Sequence, residues 1–339
     1  MTKRLFSAVA MIATLSLLIA CGGGGGEGST EGSASSSGGR KFLSVGTAPA
    51  GGAFFVVGSA IAEVLDANAG DNGWSVSAEG TKGSQENIRR IDSGELEMAL
   101  ANSAISYFAS RGDERWGDPA QIRSIMTLAP NVGLFIAPAN SDVKSIADLK
   151  GRRVYLGPAG AGFDYFLRPL LAAHGVEYDD LEAVHGSQAQ AVDYLSDGSA
   201  DAAFLGGAVP TASITQATTS QAIHFIPFDA AAMETLVADY AFFRPATIPA
   251  GTYKGLDADY SGLDVGSMHL IAGANADEEM IYQITKALYE NREQVVAKHP
   301  AGRAINPKNA ARDTGLAFHP GALRFYTEEG IVTSEEAAH

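Results

Sequence analysis

Residues 42–65 read FLSVGTAPAGGAFFVVGSAIAEVL, and residues 152–174 read RRVYLGPAGAGFDYFLRPLLAAH. Each begins with a short apolar run, passes through a glycine-rich loop and enters a stretch of helical periodicity. A strand that feeds a helix in this way is half of a right-handed βαβ unit, and repeating it builds mainly parallel sheets covered by helices. Neither loop offers a nucleophile, a metal cluster or a catalytic lysine. In open α/β sheets ligands bind outside the carboxyl ends of the strands, where such loops deliver unpaired N–H groups at helix starts. The helix dipole favours an anion there without any basic side chain. Gly51-Gly52 before Ala53, and Gly160 to Gly162 before Phe163, suit that role. A third unit, WSVSAEG followed by TKGSQENIRRI (74–91), suggests Ser84 as a helix N-cap and Asn87 in the first turn. Both side chains can hydrogen-bond a carboxylate. Lys82, the one cation of that loop, reads as solvated.

The alternation continues in both directions. Strands are expected near 42–47, 74–79, 97–101, 122–128, 131–137, 153–156, 182–185, 201–205, 223–227 and 264–272. Helices are expected near 53–69, 84–93, 102–110, 162–174, 187–197, 209–218, 229–240, 277–297 and 320–329. That is more than one sheet needs, so two α/β lobes are expected. LAPNVGLFIAPANSDV (128–143) reads as a crossing between them and YAFFRPATIPAGTY (240–253) as the return. This makes 41–130 plus 245–339 the first lobe and 131–244 the second, with hinges near 128–133 and 242–248.

The chain of 339 residues is 46% hydrophobic, enough to bury two cores, and carries a formal charge of −15. That balance argues against a nucleic-acid partner, because phosphate backbones are bound through clustered Lys and Arg. Residues 1–20 have a basic start (Lys3, Arg4) and an apolar run that is short for a membrane span, followed directly by Cys21, the only cysteine. This pattern resembles a lipoprotein signal peptide, cut before a cysteine whose thiol is then lipidated. A single cysteine excludes an internal disulfide and a Cys-based metal site. Residues 21–40, nearly all Gly and Ser after the cysteine, read as a flexible linker.

Signals for catalysis are weak. Ser141-Asp142-Val143-Lys144 matches S-x-x-K without its companion motifs, and no G-x-S-x-G, G-x-G-x-x-G or P-loop occurs. The seven histidines show no metal spacing, and His224, His269 and His319 read as structural, the last at a helix start. Asp179-Asp180 and Glu278-Glu279 read as helix-start residues. No enzyme, metal or cofactor is expected.

Six segments occur in a recognisable order: GTAPAGGAFFVVGSAIAEVL (46–65), TKGSQENIRRIDSGELEMAL (81–100), SIADLKGRRVYLGPAGAG (145–162), FLGGAVPTASI (204–214), ATIPAGTYKG (246–255) and AFHPGALRFYTEEG (317–330). They resemble the TAXI family of solute-binding subunits of tripartite ATP-independent periplasmic (TRAP) transporters. The resemblance implies a type II periplasmic-binding-protein fold, with two α/β lobes and hinge crossings around a ligand cleft. It further implies an extracytoplasmic receptor that captures a small organic carboxylate and delivers it to an ion-gradient-driven TRAP permease. The implied location is the periplasm, with a lipid anchor to a membrane. A co-receptor for a membrane sensor is the alternative, and an α/β enzyme a more distant one. Ligand-binding positions carried over are Gly52, Ala53, Phe54, Ser84, Asn87, Asn102, Ser103, Ala161, Gly162, Phe163, Val209 and Pro210.

The chain also departs from the family. Phe54-Phe55 stands where relatives often have a Tyr pair, and Gly160-Ala161-Gly162-Phe163 where they have G-S-G-T. Asn102-Ser103-Ala104 replaces Q-S-D, and Leu128-Ala129-Pro130-Asn131 replaces L-Y-P-E. A buried polar ligand group that loses its partner costs about 1–3 kcal/mol. The expected ligand is therefore a monocarboxylate or oxo acid with an apolar portion, in preference to glutamate or 2-oxoglutarate.

Overall fold

Four of the five strands of the first sheet come from the start of the chain: β1 (Lys41–Gly46), β2 (Trp74–Glu79), β3 (Met98–Asn102) and β4 (Ile122–Thr127). The second sheet follows with β5 (Val132–Pro138), β6 (Arg153–Tyr155), β7 (Glu182–Val184), β8 (Ala202–Gly207), β9 (Ile223–Ile226), β10 (Phe243–Ile248) and β11 (Tyr260–Val265). β12 (Met268–Gly273) then returns to the first, whose order is β2-β1-β3-β12-β4. The second has the order β10-β11-β5-β8-β6-β7, with β9 also on β5. This is a computed structural model in which residues 41–50 and 52–332 are described. The signal segment, Cys21 and the linker expected over 1–40 lie outside the described residues, as does Gly51. The two-lobed mixed α/β fold expected from the sequence is present.

Helices connect the strands: α1 (Ala53–Ala67), α2 (Ser84–Asp92), α3 (Ser103–Arg111), α4 (Asp164–Ala173), α5 (Gln188–Asp197), α6 (Ala212–Ser220), α7 (Ala230–Asp239), α8 (Glu278–Glu290), α9 (Arg292–Lys298) and α10 (Pro320–Glu328). α1 shows why they form. Val57, Ile61, Val64 and Leu65 fall on one face at helical spacing and are all buried. Fully burying each such side chain is worth about 1.5–3 kcal/mol. β3, central in its sheet, buries all five of its residues and so lacks the polar alternation of a half-exposed strand.

Three expectations need correction. The expected 264–272 strand is two strands, broken at Gly266, whose φ of 109° other residues rarely adopt. A β-carbon there would collide with Asn102 Oδ1. The expected 277–297 helix divides at Asn291 into α8 and α9. The segment 242–248 is not the return crossing. It is β10, paired antiparallel with β11 from Phe243↔Val265 to Ile248↔Tyr260. Pro245 made it read as a linker, yet β10 is the edge strand, where a missing N–H costs no ladder bond. By sheet membership the second crossing is Val265–Met268, and the expected lobe boundary at 244/245 falls inside β10.

The two crossings run side by side. Val265 N–H donates to Asn131 O at 2.9 Å, Met268 N–H to Ala129 O at 2.9 Å, and Leu128 N–H to Met268 O at 2.8 Å. Between them lies Asp264, whose Oδ1 accepts from Asn131 N–H at 3.0 Å and Oδ2 from the Ser267 hydroxyl at 2.5 Å. Burial pushes the Asp264 carboxyl up to about 6, against these bonds and the nearby Arg312. The lobes also touch beside the crossings. Phe108 and Trp116 from the first lobe meet Tyr165 from the second at ring-centre distances of 5.8 and 6.0 Å. Arg115 pairs with Asp164 at 3.2 Å.

Candidate functional site

Strands β1, β2, β3, β6, β7 and β8 lead into α1 to α6, and residues from all six strand-to-helix junctions line one cavity of about 340 Å³ between the sheets. Its wall is largely apolar, from Ala50, Ala53, Phe54, Pro158, Phe163 and Pro210 among others. Among the described residues, Lys82 is its only Lys or Arg, and no Asp or Glu lines it. His299 lines it as well; its Nδ1 accepts from Ala301 N–H at 3.1 Å, and burial lowers its pKa, favouring the neutral imidazole.

Of the five α-helices without a side-chain cap among the described residues, four start at this cleft. Away from the cleft α7 is capped by Asp229, α8 by Asp277 and α10 by His319, while α9, which follows α8 directly at Asn291, has no side-chain cap. At the cleft α3 is capped by Asn102 and α5 by Ser187. The other four that start at the cleft, α1, α2, α4 and α6, have no side-chain cap, and their N-cap residues Gly52, Gly83, Phe163 and Thr211 all line the cavity. At Gly52 and Gly83 the absent side-chain cap forgoes only a few tenths of a kcal/mol, since glycine is itself tolerated at this position. Glu86 in the first turn of α2 and Asp164 in that of α4 lie off the cavity wall, so four open helix starts around an apolar cavity with one lysine suit an anion carrying an apolar body.

The structure brings together Gly52, Ala53, Phe54, Ser84, Asn102, Ala161, Phe163 and Pro210 on the cavity wall. Ser84 is there in a different role from the one expected. Gly83 is the N-cap of α2, and the Ser84 hydroxyl accepts from Asn102 N–H at 2.9 Å, tying α2 to β3. Asn102 also has its side chain engaged, accepting from Ala104 N–H at 2.8 Å and donating to Gly266 O at 2.8 Å. Phe163 turns back into its own lobe, its ring 5.1 Å from Phe166 and 6.3 Å from Phe204. It lies over Gly157, where a β-carbon would collide with the ring.

Asn87, Ser103, Gly162 and Val209 do not line the cleft. Asn87 is fully buried behind it, donating to Thr47 O at 2.7 Å and Leu100 O at 2.8 Å, because the fourth position of α2 turns inward. Ser103 is fully buried at the start of α3. A β-carbon on Gly162 would sit 3.2 Å from Ile105, so this glycine permits close approach of the two lobes. Val209 lines a neighbouring cavity. The S-x-x-K match is a turn: Ser141 Oγ accepts from Val143 N–H, and Lys144 N–H donates to Asp148.

Several wall residues escaped the sequence reading. Lys82, read as solvated, lines the cleft. Gln188 and Ser213 form a polar relay, Ser213 Oγ donating to Gln188 Oε1 at 2.8 Å and Gln188 Nε2 to Gly206 O at 2.9 Å. Both sit at helix starts after second-sheet strands, a position that the strand-to-helix rule already marked. Asn131 and His299 arrive from the crossing and the end of α9, where no local motif points to a site.

Among solved structures, the chain is similar to a Xanthomonas citri protein bound to ATP, with TM-score 0.52 and 10% identity over 88% of this chain and 100% of that one. It is also similar to a Bordetella bronchiseptica RB50 protein, with TM-score 0.51 and 16% identity over 88% and 92%. A third is a binding-protein component of an ABC phosphonate transporter from Pseudomonas aeruginosa, with TM-score 0.50 and 12% identity over 88% and 96%. At these identities the likeness concerns the fold alone, a two-lobed α/β fold shared with the binding-protein component of a transporter. The model of the NMT1-like family matches residues 45–330. With nearly the whole described body inside that match, the chain belongs to the NMT1-like family.

Proposed function

We propose that this protein is an extracytoplasmic solute-binding receptor for a small organic acid with one carboxylate and an apolar remainder, and that it is not an enzyme. The observation that carries the reading is the set of four uncapped helix N-termini around a cleft with one lysine and no carboxylate. The ligand carboxylate takes main-chain N–H groups at Ala53 and the α2 start, with Lys82 as long-range support. Phe54 and Phe163 cover the apolar portion. Closure of the lobes pivots on 128–132 and 265–268, and the closed form is handed to a TRAP permease, as the resemblance to the TAXI family suggests. Lipidation of Cys21 holds the protein at a membrane, with the Gly/Ser segment as a leash.

Mass spectrometry of what mild denaturation releases from the purified protein tests this, followed by calorimetric titration with the acid found. The expected result is a mono- or oxo acid that binds more tightly than glutamate or 2-oxoglutarate. Turnover of the acid, or a clear preference for glutamate, overturns the assignment.

A further inference from the structure

A second cavity, of about 600 Å³, adjoins the cleft and shares Ala208 with its wall. Four of the chain's 24 Lys and Arg line it: Arg244, Arg303, Lys308 and Arg312. In a chain of net charge −15 this concentration runs against the overall balance. Among the described residues Asp264 is the only carboxylate on the wall; it is 2% exposed and already accepts from Asn131 and Ser267. It lies 4.0 Å from Arg312. Among the described residues, no carboxylate comes within ion-pair distance of Arg244, Arg303 or Lys308. Arg312 Nη1 is buried without a hydrogen-bond partner. Burial lowers the Arg312 pKa, Asp264 and the neighbouring Asp313 offset this in part, and Arg244 acts in the same direction as burial, so these two guanidinium groups repel one another.

The cations come from both lobes. Arg244 is on edge strand β10 of the second sheet. Lys308 and Arg312 belong to a segment fastened to the first, where Thr127 N–H donates to Ala310 O at 2.8 Å and the Thr127 hydroxyl to Arg312 O at 2.8 Å. Like charges facing each other across a gap between lobes raise the energy of this arrangement unless an anion lies between them.

We propose that this cavity is a second ligand site, taking a compact anion with two or more negative charges, carboxylate or phosphate, that bridges β10 and the segment 303–312. It is separate from the cleft in chemistry as well as place. The cleft offers main-chain N–H groups to one carboxylate, whereas this cavity offers four side-chain cations. Guanidinium groups suit bidentate anion recognition, and an occupant bound from both sides favours the lobe arrangement seen here.

Calorimetric titration at constant ionic strength tests it, with inorganic phosphate and succinate as separate probes and acetate as the single-charge control. Each is run on the full chain, on Arg244→Gln/Lys308→Gln, and on Gly52→Asp, which blocks the cleft. Both double-variant positions are exposed, so their loss does not open a core. The expected result is saturable binding of at least one dianion, weakened about tenfold or more in the double variant and within about twofold of wild type in Gly52→Asp. Which dianion binds distinguishes a phosphate from a dicarboxylate occupant. The proposal is overturned if neither dianion saturates, if binding survives the double variant unchanged, or if it disappears in Gly52→Asp and so belongs to the cleft.

Discussion

Gly52→Asp separates the role of the α1 N-terminus in folding from its role in binding. Gly52 has φ −85° and ψ 156°, ordinary extended values, and a β-carbon there would meet only Pro49 O, at 3.6 Å. Aspartate is therefore accommodated and supplies the cap that α1 lacks, accepting from an N–H of the first turn. The gain over glycine is a few tenths of a kcal/mol from the cap, with about 0.3–1 kcal/mol from the dipole. The effect on an anionic ligand is opposite in sign and larger. Two unit charges about 4 Å apart at an effective dielectric of 20 repel by about 4 kcal/mol, or about 2 kcal/mol once the open side of the cleft is allowed for. Losing a charge-assisted hydrogen bond adds about 1.5–3 kcal/mol. The sum is about 4 kcal/mol, roughly a thousandfold in Kd. Gly52→Asn caps without charge and loses only the hydrogen bond, about ten- to a hundredfold. Calorimetry with the co-purified acid, or the best binder from a panel of mono- and oxo acids, reads the affinities; thermal melts read stability. A Gly52→Asp protein with unchanged or slightly raised Tm and loss of binding is expected. Affinity within about threefold of wild type in a folded Gly52→Asp chain would refute anion capture at α1.

Three other outcomes follow from the same geometry. Ala161→Ser with Phe163→Thr shifts preference toward glutamate and 2-oxoglutarate and weakens the native acid, since a hydroxyl facing an apolar ligand portion is desolvated at about 1–3 kcal/mol; it also lowers Tm, because the Phe163 contacts with Phe166 and Phe204 are lost. A selectivity ratio unmoved in titrations refutes this wall assignment. For Asp264 the folded carboxyl titrates near 6 against 3.8 unfolded, so the folded state holds the proton more tightly and stability falls as pH rises from about 4 to 6. Relative to Asp264→Asn, wild type should lose about 3 kcal/mol across that window in denaturant melts, and a flat difference curve contradicts it. Finally, Cys21→Ser moves the protein from the membrane to the soluble fraction, and unchanged partitioning rules out the lipid anchor.

The alternation of apolar strand, loop and helix made most elements legible, because their burial patterns are local: α1 carries its buried face at helical spacing and β3 its unbroken apolar run. The same periodicity located the loops that open on the cleft, since a strand-to-helix turn places its N–H groups at the carboxyl edge wherever it occurs. What stayed hidden depends on neighbours distant in sequence. Pro245 disguised β10 because only the assembled sheet reveals an edge strand, where a missing N–H costs nothing. Gly266 splits one apparent strand in two because Asn102, 164 residues away, occupies the space that a side chain would need. Asn87 shares the first turns of α2 with Ser84, yet helix phase against β1 and β3 turned it into the interior while Ser84 reached the cleft wall. Nothing in the sequence singles out Arg244 or Arg312; the cavity that gathers them exists only where two sheets meet, and no local spacing records that distance.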